Sequence, residues 1–235
     1  MIFDIMTLFP DLVNYVLGES IIGRAQKSGA IEVATYNIRD YSEDKHRRVD
    51  DTPYGGGKGM LMMAPPIDRC YQAICQKRQG ELKKHVVFMS PSGKLFDQKK
   101  AEELAKFDQL VILCGHYEGV DRRIIDEIVD EEISIGDYVL TGGEIPACIL
   151  VDCVSRLVDG VLSDPECHEN ESISSGLLEY PQYTRPYEFH GVKVPDVLIS
   201  GHHENIDRWR REQAQALTRQ NRPDVLEKFR KEESH

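Results

Sequence analysis

The stretch "SIGDYVLTGGEIP", from Ser134 to Pro146, gives the first indication of the fold, because it places three glycines within eight residues. Glycine lets a backbone approach a ligand or another segment closely, since it has no side chain and tolerates positive φ. The spacing differs from the Gly-x-Gly-x-x-Gly of dinucleotide sites, and no Gly-Lys-Ser/Thr follows as in a P-loop. The stretch therefore predicts a ligand-binding loop of another class.

The segments around this loop alternate between strand and helix patterns. Apolar runs predict strands at "MIFDIMTLF", "IEVATYNI", "HVVFMSP" and "QLVILCG", and helical periodicity marks "DLVNYVLGESIIGRAQKSG", "APPIDRCYQAICQKRQ", "DQKKAEELAKF" and "IPACILVDCVSRLV". Such alternation favours an α/β domain with a mainly parallel sheet. Ligands bind at the carboxyl ends of parallel strands. The three strand-end segments "MSPSGK", "CGHYEG" and "SIGDYVLTGGE" are therefore predicted to build one pocket.

Composition limits the class of protein. The 235 residues are 40% hydrophobic and 29% charged, with a net charge of −11. No apolar run reaches the ~18 residues of a membrane span, and the N-terminus lacks signal-peptide features. We therefore expect a cytoplasmic protein without membrane association. The six cysteines form no C-x-x-C pair, which favours free thiols and predicts no metal site.

Charge is distributed unevenly, and it singles out the C-terminal quarter. Residues 175–235 carry ten basic and ten acidic side chains, whereas the rest of the chain is acidic. Within that quarter, Arg208 and Arg211 share one face of a predicted helix, which suits either a phosphate backbone or solvent. The loop "YGGGKGM", from Tyr54 to Met60, is likewise open to two interpretations, a close approach to a flat ligand or phosphate and a surface turn.

Taken together and in this order, several motifs resemble those of the bacterial tRNA (guanine-N1)-methyltransferases that modify position 37, beside the anticodon. The matching pieces are "FDIMTLFP", "DTPYGGGKGMLMM", "MSPSGK", "CGHYEGVDRR", "SIGDYVLTGGE", "GLLEYPQYTRP" and "VPDVLISGHHENIDRWRREQA". The resemblance implies a methyltransferase of the SPOUT class that uses S-adenosyl-L-methionine as methyl donor and tRNA as substrate. It also implies a homodimer with the active site at the subunit interface.

The resemblance implies three regions. Residues 1–160 would form a SPOUT α/β catalytic domain that binds S-adenosylmethionine, with a parallel sheet flanked by helices and a deep C-terminal trefoil knot. Such a knot is a rare exception to the unknotted topology of most folds. Residues 161–174 would be a flexible linker, and residues 175–235 a small, mostly helical tRNA-binding domain.

Family roles carry over to individual positions. Glu171 would be the catalytic base and Arg156 its electrostatic partner. The implied cofactor-binding residues are Met89, Ser90, Pro91, Gly115, Tyr117, Glu118, Gly119, Ser134, Ile135, Gly136, Tyr138, Leu140, Gly142, Gly143 and Pro146. The implied substrate-binding residues are Tyr54, Gly55, Gly56, Gly57, Lys58, Glu179, Arg185, His202, Arg208 and Arg211. For Asp137 and Glu144 we expect structural or interface roles.

Four positions depart from the common family pattern. Glu171 stands where aspartate is usual, and His116 stands where arginine is usual. Glu179 and Gln182 stand where aspartate and histidine are frequent, and Glu179 stays a candidate second acid or metal ligand. Assistance by Mg²⁺ is left open. Two alternatives are a knotted methyltransferase for another RNA and a non-catalytic RNA-binding dimer. The "GHHENIDRWRREQA" block disfavours the first, and the intact glycine loops disfavour the second.

Overall fold

The computed structural model describes residues 1–78, 80–162, 172–173 and 176–232, with side chains described as far as residue 227. The chain divides into two compact units, Met1–Ser163 and Asp164–His235. The first unit holds the large sheet, and the second is mostly helical. No helix in the described part of the chain is both long enough and apolar enough to span a membrane.

The first unit is built on five parallel strands, which confirms the predicted α/β class with a parallel sheet. In spatial order they are β2 (Glu32–Asn37), β1 (Ile2–Thr7), β6 (Gln109–Cys114), β5 (Lys84–Leu95) and β7 (Glu131–Ser134). Every strand pairs with its neighbours in parallel. Their carboxyl ends therefore lie at one edge of the sheet, where the predicted ligand-binding segments begin.

Helices cover both faces of this sheet. They are α1 (Pro10–Leu17), α2 (Ser20–Ser28), α3 (Ala64–Lys77), α4 (Gln98–Leu104), α5 (Arg122–Ile128) and α6 (Glu144–Ser155). Side chains alternate across a strand, so Leu110 and Ile112 of β6 pack with α1, α2, α4 and α6. Val111 and Leu113 of the same strand pack with α3 and α5 on the other face. Burial on both faces explains why the central strands read as unbroken apolar runs.

Two local predictions in the first unit were wrong. The segment read as one helix forms α1 and α2, which are separated at Gly18 and Glu19. The backbone folds back there so closely that a Cβ on Gly23 would lie 2.0 Å from the carbonyl oxygen of Gly18. The polar, glycine-rich segment "RDYSEDKHRRVDDTPYGGGKGM", residues 39–60, reads entirely as loop, but it holds most of a 3₁₀ helix, Ile38–Tyr41, and the strand β3 (Asp50–Asp51), which pairs with β4 (Leu61–Met62) just beyond it.

The second unit contains α7 (Asp196–Ile199), α8 (His203–Asn221) and α9 (Pro223–Glu232), with a hairpin of β8 (Glu188–Phe189) and β9 (Val192–Lys193) that the sequence pattern did not indicate. Buried Thr218 joins the segment before the hairpin to α8. Its hydroxyl accepts the backbone N–H of Leu178 at 2.8 Å and donates to the carbonyl of Ala214 at 2.6 Å. The hydroxyl thus satisfies both its donor and its acceptor capacity inside the unit.

Candidate functional site

A cavity of about 240 Å³ lies at the carboxyl ends of β5, β6 and β7. All fifteen residues to which a cofactor role was assigned from the sequence line it, although they come from three separate segments. Five further residues complete the wall, namely Phe88, His116, Ile133, Val139 and Thr141. The structure therefore gathers the three predicted segments around a single space.

The first wall segment is an excursion within β5. Ile133 of β7 is the partner of both Met89 and Lys94, so the four residues between them leave the strand and project at the sheet edge. A Cβ added to Gly93 would lie 2.4 Å from the backbone of Glu132 and Ile133. Only glycine fits this contact, so Gly93 fixes where β5 rejoins the sheet, a role that the sequence reasoning missed.

The second and third segments meet through glycine backbone. The N–H of Gly143 donates to the carbonyl of Gly115 at 2.8 Å, and His116 forms an isolated antiparallel bridge with Gly142. A Cβ on Gly143 would lie 2.7 Å from the Cα of Cys114. The paired glycines of the opening stretch are therefore required for the loop to lie directly against the end of β6.

The wall at Tyr117 to Gly119 is joined to the glycine-rich loop that ends at Met60. The N–H of Glu118 donates to the carbonyl of Met60 at 3.0 Å, and the N–H of Met62 donates to the carbonyl of Gly119 at 2.9 Å. Tyr117 has a positive φ of 59°. Burial, and then the nearby charge of Asp50, raise the pKa of the Tyr117 phenol, which keeps it a neutral hydroxyl.

A buried polar group lies directly behind the cavity wall. The Glu144 carboxylate, at the first residue of α6, accepts a hydrogen bond from the hydroxyl of Thr7 at 2.8 Å. Burial, and then the Glu144 charge, raise the pKa of the Cys148 thiol to about 11, and the same two causes raise the pKa of Cys114. Neither thiol is therefore a reactive thiolate at neutral pH.

Comparison with known proteins identifies the family of this chain. The family model described as tRNA (Guanine-1)-methyltransferase TrmD matches residues 1–228. The chain belongs to this family. The predicted family, the enzyme class and the methylation of guanine N1 in tRNA are thereby confirmed, and the alternative functions gain no support.

The chain is similar to curated relatives over nearly the whole length of each. The chain is 59% identical to the tRNA (guanine-N(1)-)-methyltransferase of Ruminiclostridium cellulolyticum, over 97% of each chain. It is 55% identical to the enzyme of that name from Lachnospira eligens, over 99% of this chain and 98% of the relative. It is 51% identical to the enzyme of that name from Clostridioides difficile, over 96% of this chain and 97% of the relative.

Arg156, the described member of the predicted catalytic pair of the methyltransferase, does not line the cavity. Arg156 caps the C-terminal end of α6 and is half-buried. It follows the last cavity residue, Pro146, by ten residues, or about 15 Å along a helix axis. Glu171 lies outside the described residues. The cavity wall of one chain is therefore described without either member of the pair.

The predicted substrate residues divide between the two units. Tyr54 to Lys58 lie in the loop between β3 and β4 of the first unit, where Tyr54 is fully exposed. The others lie in the second unit and are all exposed, namely Glu179, Arg185, His202, Arg208 and Arg211. In the described part of the chain, no three His, Cys, Asp or Glu side chains come together as metal ligands.

Sequence reasoning missed the role of His116, which lines the cavity beside its predicted neighbours. Its ring lies 5.1 Å from that of Phe9 and 4.8 Å from that of Tyr117. Its buried Nδ1 has no hydrogen-bond partner in the described part of the chain. The available signal was its position inside "CGHYEG", where it was treated only as a departure from the common family pattern.

Proposed function

We propose that this methyltransferase transfers the methyl group of S-adenosylmethionine to N1 of guanine at position 37 of tRNA. The observation that carries the proposal is the single cavity lined by all fifteen residues expected to bind the donor. Residues 1–160 would form the catalytic SPOUT domain, with the C-terminal trefoil knot of that class, residues 161–174 a flexible linker, and residues 175–235 the tRNA-binding domain. The cytoplasm is the compartment we expect.

The residues of the cavity suit such a donor. Phe88, Ile133 and Leu140 offer apolar contacts, while half-buried Gly142 offers main-chain groups to which an adenosine moiety could hydrogen bond. The volume lies just below the ~300 Å³ at which typical small-molecule pockets begin. When bound, the donor supplies an activated methyl group on a positively charged sulfur.

The chemistry of the methyl acceptor, guanine N1, determines which groups the protein must supply. Guanine N1 carries a proton at neutral pH and must lose it as the methyl group arrives, while negative charge grows on O6. A carboxylate at N1 and a cation nearby meet these two needs. We assign the proton acceptor to Glu171 and the electrostatic partner to Arg156. Exposed Arg208 and Arg211 on α8 would contact phosphates of the tRNA.

A homodimer is supported by two features of the first unit. Arg156 lies at the far end of α6 from the cavity of its own chain, so a second subunit could supply what that cavity lacks. In addition, α1 and α6 pack together, and both helices carry exposed apolar side chains, namely Leu12, Tyr15, Val16, Ile145 and Ile149. Exposed apolar surface of this kind is typical of subunit interfaces. Sedimentation should give twice the 26.8 kDa of one chain.

Methylation of defined tRNA transcripts tests the function. A transcript with guanine at positions 36 and 37 should be methylated, and reverse transcription should then stop at position 37, because N1 methylation blocks base pairing. A transcript with adenine at position 37 should show no stop. Methylation at another base, or of ribosomal RNA in preference to tRNA, would reject the proposed substrate.

Two variants test the catalytic roles. Glu171→Gln should nearly abolish single-turnover methyl transfer and leave the Kd for the donor unchanged, because the amide cannot accept the N1 proton. Arg156→Ala should lower kcat more than it weakens tRNA binding, because its charge acts as negative charge develops. Wild-type turnover by Glu171→Gln would refute the base assignment.

A further inference from the structure

The mechanism above leaves one buried carboxylate unused. Glu144 is only 5% exposed. One of its oxygens accepts a hydrogen bond from Thr7, and the other lies 2.5 Å from the position that a Cβ on Gly142 would take. In the described part of the chain, no lysine, arginine or histidine forms an ion pair with it. A neutral hydroxyl compensates a buried charge only in part.

The Glu144 carboxylate lies directly behind the cavity wall, because Gly142, which it approaches, lines the cavity. Burial first, and then the Glu144 charge, raise the pKa values of the Cys114 and Cys148 thiols beside it. The imidazole of His116 faces the same point, with Nδ1 2.9 Å from the Gly142 Cβ position, yet Nδ1 makes no hydrogen bond. The imidazole therefore forms no hydrogen bond with the Glu144 carboxylate in the described part of the chain.

We propose that Glu144 is a specificity-determining residue that favours the charged methyl donor over the uncharged product. The inference rests on the proposed function, because it takes S-adenosylmethionine as the ligand of the cavity. The donor carries a positive sulfonium, whereas S-adenosylhomocysteine, left after methyl transfer, carries a neutral thioether. A fixed negative charge in a poorly solvated wall attracts the first and not the second.

The same attraction predicts how Glu144 divides its effect between binding and chemistry. Positive charge leaves the sulfur as the methyl group is transferred, so the attraction is greatest before the reaction and weakens along it. Glu144 then strengthens donor binding and helps product release, but it does not accelerate the chemical step. Its loss should raise the KM for the donor and leave single-turnover methyl transfer unchanged or faster.

Two other carboxylates near the cavity serve as comparisons. Glu118 lines the cavity and Asp137 lies in the same loop as Gly142, but both are exposed. Water and salt screen exposed charges, so their effect on a ligand is weaker than that of a buried charge at similar range. Asp137→Asn is therefore the matched control, since it removes one negative charge from the same loop without altering the buried group.

Calorimetric titration with three ligands tests the inference. They are S-adenosylmethionine, S-adenosylhomocysteine and an analogue with a protonated amine in place of the sulfonium methyl group. Their adenosine and amino-acid parts are identical, so ratios of Kd isolate the charge near the sulfur position. Glu144→Gln should weaken the two cationic ligands on the order of tenfold and the thioether by less than about twofold. Asp137→Asn should leave the ratios unchanged.

A second variant keeps the test valid if Glu144→Gln does not fold. Thr7→Val removes the hydroxyl that donates to the carboxylate, which favours the neutral, protonated acid at this buried position. It should therefore reduce the preference for the cationic ligands, in the same direction as Glu144→Gln. Equal weakening of all three ligands in Glu144→Gln, or an unchanged preference in Thr7→Val, would overturn the inference and leave the proposed function intact. Failure of the wild-type chain to bind any of the three would instead overturn the proposed donor.

Discussion

Replacement of Arg78 by alanine should destabilise the first unit more than any surface charge substitution. Asp4 is fully buried on β1, and Arg78 donates to both its oxygens, from Nε at 3.1 Å and from a terminal nitrogen at 3.0 Å. The variant would leave Asp4 with only two neutral donors, Tyr36 and Gln109. Removing one partner of a buried ion pair costs about 3–5 kcal/mol, because the remaining charge stays buried.

That loss is large enough to measure in two ways. For a chain of this size, ~1 kcal/mol lowers Tm by about 2–4 °C, so Arg78→Ala should melt roughly 6–20 °C below the wild type. The urea midpoint should fall with an unchanged m-value. Arg122→Ala is the matched control, because it breaks an ion pair of similar geometry, 2.7 Å to Asp126, on the exposed surface. If both variants melt alike, the buried carboxylate does not carry the energy assigned to it.

Two further predictions concern a glycine and an acid. Gly143→Ala should cost about 1–3 kcal/mol and weaken donor binding about tenfold, because the new methyl group displaces the loop from Cys114. Gly201→Ala, also strained but in the second unit, should leave donor Kd unaltered; equal Kd values for both variants would disprove the close-approach argument. Arg78 lowers the pKa of Glu32, so Glu32 stabilises the fold above its ordinary value of 4.5, and this contribution disappears as pH falls through the lowered pKa. The free energy of unfolding of Glu32→Gln should be slightly lower than that of the wild type at pH 7 and equal to it in strong acid. A difference that persists in acid would contradict this prediction.

The sheet was predictable because its strands are buried on both faces, so that their apolar runs stand out locally. Where the pairing of a strand depends on a segment that is distant in sequence, the local pattern of residues does not predict the strand. The strand β5 resumes at Lys94 only because β7 lies beside it, and the two-residue strands of β3 and β4 are too short to produce alternation. The break between α1 and α2 at Gly18 depends on a backbone contact that hydrophobic periodicity cannot predict.

The same distinction applies to the candidate site. The second and third cavity segments begin at the ends of β6 and β7, and the first is the excursion within β5, so the parallel topology brings the three to the same edge of the sheet. The contact between Thr7 and Glu144 spans 137 residues and could not be read from either neighbourhood. The position of Arg156 at the far end of α6 does follow from helix length, once α6 is known to begin at the cavity.

The backbone junction between Met60–Met62 and Glu118–Gly119 has a thermodynamic consequence. If tRNA contacts the glycine-rich loop, as the family resemblance implies, the two hydrogen bonds of this junction connect the acceptor surface to the donor cavity. Any factor by which bound donor tightens tRNA binding must equal the factor by which bound tRNA tightens donor binding. The two affinities are thus a single coupled quantity, and a substitution at Met60 or Gly119 that weakens the coupling must weaken it equally from both sides.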